Sequence, residues 1–165
     1  VTLFYESAEY ISIDRATTAC RMLEEVLETK SESVAAYAAR GIIINHYLRY
    51  EGNPGRAMLQ AYSIIAESSR PAVTAALESP HTYDWVKALI EYNLAHAYHN
   101  LDKYAEAKAV IDSLLARYPN AGWPSYVAGY AQAFIYEELN PQDLEGTLAA
   151  YQAYMTAQLD SPFIP

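Results

Sequence analysis

The chain is predicted to be all-α, a series of seven or eight helices packed as antiparallel pairs. Three observations predict it. Hydrophobic residues make up 52% of the 165 positions while glycine supplies only six, which argues for a folded, helix-rich chain. Residues 88–121 carry two helical patterns joined at Leu101-Asp102-Lys103 and closed by Tyr118-Pro119. Finally, segments 33–50, 83–100 and 124–139 are apolar nearly all round, whereas 14–29, 103–117 and 143–159 are one-sided. An inner layer touched on several sides, backed by an outer layer facing water, would read this way.

The elements follow in order. Residues 1–11 read as a short or truncated helix. From Asp14 an amphipathic helix sets Ala16, Ala19, Cys20, Leu23, Val26 and Leu27 on one side. Cys20 on that face is expected to be a packed thiol. Residues 33–50 form an apolar helix interrupted by Arg40, Asn45, His46 and Arg49, with Gly41 marking a close helix approach. Asn53-Pro54-Gly55 breaks the chain before a helix with Ala57 and Ala61 as small packing positions. Pro71 and Ser79-Pro80 frame a short helix at 72–78, a spacer or the continuation of a helix kinked at Pro71. Asp102 is the expected N-cap of the helix 103–117, which Pro119 stops. Pro124 opens the next helix, and Asn140-Pro141 separates it from the closing one.

Residues 88–121 resemble a tetratricopeptide repeat. Leu94-Ala95 takes the place of the usual Leu-Gly pair, Tyr98 the tyrosine, Ala107 the alanine, Ile111 the bulky residue and Pro119 the terminal proline. Ala95 stands where Gly is usual and Glu91 where Trp is common. The small residues opening each second helix, Ala16, Ala57, Ala107 and Thr147, are 41, 50 and 40 residues apart. Since the family period is about 34, the units near 1–30, 33–69 and 123–159 are irregular and 70–80 is an insert. The resemblance implies one domain over 1–165, a right-handed superhelical α-solenoid of antiparallel pairs, acting as a protein-interaction scaffold.

Chemistry has few candidates. The net charge of −9 and pI near 4.8 disfavour nucleic acid or an anionic membrane as partner. A single cysteine excludes an intrachain disulfide and a multi-cysteine zinc site. No apolar run approaches the roughly 18 residues of a membrane helix, and no signal-peptide pattern occurs. A chain beginning at Val1 reads as a processed product or part of a longer protein, which leaves its compartment open between cytoplasm and export. His96 and His99 share a helix face but lack a third ligand at the matching turns, so no metal is expected. Glu24-Glu25-Glu28, Glu137-Glu138 and Asp143-Glu145 read as solvated carboxylates. No phosphate loop, nucleophile elbow or acid–base pair appears, so neither catalysis nor a cofactor is expected.

The sixteen tyrosines, against three Phe and two Trp, suit half-buried faces and grooves, because each ring is apolar and each tip polar. The resemblance implies that ligands lie on the concave surface of the first helices. By position this gives Leu89, Tyr92, Asn93, His96, His99 and Asn100 in the regular repeat, with Asn93 as the backbone-clamping amide. The last pair offers Trp123, Tyr126, Val127, Tyr130, Ala133 and Phe134, unless the closing helix folds over them. The second unit offers Ala39, Ile42, Asn45, His46 and Arg49. Tyr92, His96 and Tyr130 stand where carboxylate-binding repeats carry Lys or Arg, so the expected partner is an apolar or aromatic protein segment. The alternative function is a signal-peptide or small-molecule sensor domain of a larger regulator.

Overall fold

The computed structural model describes residues 13–30 and 33–159, and all of its regular elements are helices. The helix expected at 1–11 lies outside the described residues, as do the side chains of Ala16 and Arg49. The chain divides after Ser79 into two compact units.

The first unit holds α1 (Ile13–Thr29), α2 (Val34–Arg49), α3 (Pro54–Glu67) and α4 (Pro71–Glu78). Local chemistry sets their starts. The Ser33 side chain accepts from the Ala36 N–H, the Asn53 side chain accepts from the Arg56 N–H, and Pro54 and Pro71 occupy first turns. Helix α2 is the inner element, packed by α1, α3 and α4. Ala36, Tyr37, Ala39, Ile43, Ile44 and Tyr47 are therefore all buried around its circumference. Helix α3 buries only one side, through Ala57, Ala61 and Ile64. Cys20 is a packed thiol, and burial pushes it up to about 12.

The second unit holds α5 (Asp84–His99), α6 (Tyr104–Arg117), α7 (Trp123–Leu139) and α8 (Leu144–Leu159). His99 at the end of α5 meets Tyr104 at the start of α6, and Glu91 midway along α5 pairs with Arg117 at the end of α6, so these two run antiparallel. Tyr92 meets Trp123 and His99 meets Phe134, so α5 and α7 lie side by side in the same direction. Tyr126 meets Tyr154 and Tyr130 meets Tyr151, so α8 returns antiparallel to α7. The core is Ala88, Ala95, Ala107, Ile111, Leu114, Ala128 and Ile135. Ala95 and Ala107 are small because helices cross over them, with no accessible surface left at Ala107. Ala107→Leu should overpack this crossing and cost about 1–3 kcal/mol, read as a lower urea midpoint. An unchanged midpoint would mean the crossing yields freely.

The turn between α5 and α6 departs from expectation. Asp102 does not cap α6, which starts at Tyr104 after Lys103 with no side-chain cap. Asp102 instead adopts φ +55, where its N–H donates to the His99 carbonyl and Lys103 N–H reaches the Tyr98 carbonyl. Asp tolerates this left-handed conformation better than most residues, and it ends α5. Its carboxylate accepts from the Tyr104 hydroxyl at 3.0 Å.

Candidate functional site

Aromatic rings of the second unit meet along α7, with α5 at Trp123 and Phe134 and with α8 at Tyr126 and Tyr130. Its edge is set by the linker before α7. Ser125, buried, donates through Oγ to the Tyr118 carbonyl at 2.5 Å and accepts from the Ala121 N–H at 3.0 Å. Gly122 then turns at φ +79, a conformation that favours glycine, and Pro124 sits in the first turn. This arrangement places Trp123 at the lip of the helix, 53% exposed.

Along α5, the Tyr92 ring stacks on His96 at 6.0 Å between centroids and meets the Trp123 ring edge-on at 5.7 Å. Further along, His99 makes edge contacts with Phe134 at 5.2 Å and Tyr104 at 5.6 Å. Burial holds His99 below the ordinary imidazole range, against the opposing pull of Glu138 and Asp102. Asn100 closes the helix by donating its side-chain amide to the His96 carbonyl at 2.7 Å. Asn93 is only 2% exposed and Leu89 is also buried, so neither offers surface in this conformation. The open stripe is thus narrower than the positions implied by the resemblance.

On α7, Tyr130 is 51% exposed although α8 leans against it. Its ring lies 6.0 Å from Tyr151 and 5.8 Å from Tyr154, and Tyr154 also meets Tyr126 at 5.8 Å. The closing helix therefore braces the stripe without covering it. Tyr151 donates its hydroxyl to Glu137 Oε2 at 2.9 Å, and burial together with that bond pushes the phenol up to about 12. Burial likewise raises Tyr154, helped by the neighbouring Tyr126 and Tyr130 hydroxyls. Val127 and Phe134 are half-buried and Ala133 is buried.

In the first unit Ala39 and His46 are buried, while Ile42 and Asn45 are partly accessible. His46 belongs to a polar cluster that sequence reasoning missed. Its Nε2 lies 3.2 Å from Glu51 Oε1, and Arg56 pairs with both Glu51 and Glu24 at 3.2 Å. Tyr47 donates to the same Glu24 at 2.5 Å, and Arg56 covers the Tyr47 ring at 4.3 Å. Glu24, expected to be a solvated carboxylate, is thus bonded to Tyr47 and Arg56 while its side chain stays 35% exposed. The available signal was Tyr47 and His46 inside an apolar helix, since buried polar groups need partners.

Among the described residues no group of three or more His, Cys, Asp or Glu is placed to hold a metal ion. No described helix is long and apolar enough to cross a membrane. The arrangement leaves ring faces and carboxylates exposed, among them Trp123, Tyr130 and Glu137. Comparison with known protein families, with curated proteins and with solved structures finds no match.

Proposed function

We propose that the second unit is a protein-interaction module of the tetratricopeptide-like kind, which holds an extended segment of a partner against α5, α7 and α8. One observation carries this reading: the inner helix α7 leaves two large rings, Trp123 and Tyr130, half exposed while neighbouring rings brace both. An inner helix flanked on several sides is expected to hide such residues. Rigid, partly desolvated aromatic anchors are the usual composition of interface hot spots, and contiguous exposed apolar surface marks a binding face. The side-by-side α5 and α7, with α6 packed antiparallel to α5, also suit the concave face of a helix-pair repeat.

Selection of random twelve-residue peptides on the intact chain tests the reading. Selected peptides should bind Trp123→Ala and Tyr130→Ala about tenfold more weakly than wild type, the loss expected for truncating an anchor. Both positions are half exposed, so the helical circular dichroism signal should persist. Equal binding to wild type and both variants would place the interaction elsewhere.

A further inference from the structure

The chain shows twice how it satisfies a tyrosine beside carboxylates. Arg56 lies over Tyr47 at 4.3 Å and pairs with Glu24 and Glu51. Arg117 lies over Tyr118 at 5.4 Å and pairs with Glu91. The chemistry is the same in both places. A guanidinium is planar and weakly hydrated, so it stacks on the negative face of a ring while its N–H groups reach an adjacent carboxylate.

The α7–α8 surface holds the same ingredients without the cation. Tyr130 is half exposed with Tyr151 and Tyr154 beside it, and the Tyr151 hydroxyl fixes Glu137 at the rim. Glu137 is exposed and forms no ion pair among the described residues. Residues 118–165 contain Glu137, Glu138, Asp143, Glu145 and Asp160 but no Lys, Arg or His. Nothing in that stretch can supply the missing charge. Carboxylates and ring faces of one sign, with no compensating base on their own two helices, complement a cationic partner.

We propose that the face formed by Tyr130, Tyr151, Tyr154 and Glu137 receives an arginine-bearing segment of a protein partner, with a guanidinium over Tyr130 and bonded to Glu137. This rests on the peptide-binding reading above and names the charge class of the partner. Uncharged apolar or aromatic segments would use Trp123 and Tyr92 without engaging this end of the stripe.

The test uses the intact chain at physiological salt and a fluorescent Gly/Ser peptide carrying two arginines, with a citrulline twin of the same shape and no charge. Fluorescence anisotropy should show the citrulline peptide binding about tenfold more weakly. Tyr130→Leu and Glu137→Gln should each weaken the arginine peptide by about threefold, the scale of one exposed cation–π contact or ion pair. Glu28→Gln, which removes an exposed carboxylate from α1, is the charge-matched control and should bind like wild type. The proposal is overturned if the citrulline twin binds equally, if the arginine peptide does not bind, or if Glu28→Gln weakens binding as much as Glu137→Gln. Selected peptides that depend on Trp123 but are indifferent to charge would overturn this inference and leave the peptide-binding reading standing.

Discussion

Arg117→Ala should destabilise the second unit by about 2–4 kcal/mol at pH 7, because it leaves a buried carboxylate unpaired. Glu91 is 5% exposed, and its ion pair is with Arg117. Its second oxygen, Oε2, is buried without a hydrogen-bond partner. Burial raises the Glu91 carboxyl above its ordinary value, and Arg117 opposes that rise. With Arg117 gone, the opposing effect disappears and the carboxyl rises further. A folded state with a raised carboxyl holds its proton where the unfolded chain has already released it. Stability therefore falls as pH rises above about 4.5, the ordinary glutamate value, up to the folded value. That window widens in the variant, so its deficit against wild type should be smaller at pH 5 than at pH 7. Urea titrations at both pH values check this. Adding Glu91→Leu to Arg117→Ala should recover much of the loss, since an apolar side chain needs no counter-ion there. An equal deficit at both pH values would show that the carboxylate is not what the substitution exposes.

Arg40→Ala should cost the first unit about 3 kcal/mol, and Arg40→Lys should recover less than half of it. The Arg40 guanidinium grips both oxygens of Glu67, at 3.1 and 2.9 Å, and donates to Gln60 Oε1 at 2.8 Å. The Glu67 side chain is 9% exposed, so losing the fork strands a nearly desolvated charge. Arg70, 3.4 Å from the same carboxylate, keeps the cost below the upper end for such pairs. A lysine ammonium is a point charge and cannot meet two carboxylate oxygens and an amide in one plane. Thermal unfolding followed by circular dichroism measures both variants. A lysine variant as stable as wild type would reduce this contact to simple charge balance.

These two pairs also mark where sequence stopped being informative. Arg40 was visible as an interruption in an apolar helix, and Glu91 as a departure from an aromatic position. Their partners, 27 and 26 residues away, lie on other helices at positions that periodicity does not single out. Helix existence was legible because Pro54, Pro71, Pro124 and Asn140 punctuate the chain and the small residues Ala57, Ala95 and Ala107 mark crossings. Spacing also grouped Trp123 with Tyr130 on one face, and both emerge exposed. Spacing did not reveal which neighbour covers a shared face. Asn93 falls on the stripe of Tyr92 and His96, yet α6 and α7 both pack on α5 and it is buried. Asp102 misled for another reason: the side chain that suits an N-cap also tolerates a left-handed turn.

The turns set the pace of assembly as well as its geometry. In each unit the principal packing joins helices that are adjacent or next but one in the chain, with the four residues between α5 and α6 or between α2 and α3 as typical connections. Closing such short loops costs little entropy before the buried contacts repay it. Folding of either unit should accordingly fall in the microsecond-to-millisecond range of proteins dominated by local contacts. Stopped-flow fluorescence of Trp85 and Trp123, both in the second unit, would follow that step directly.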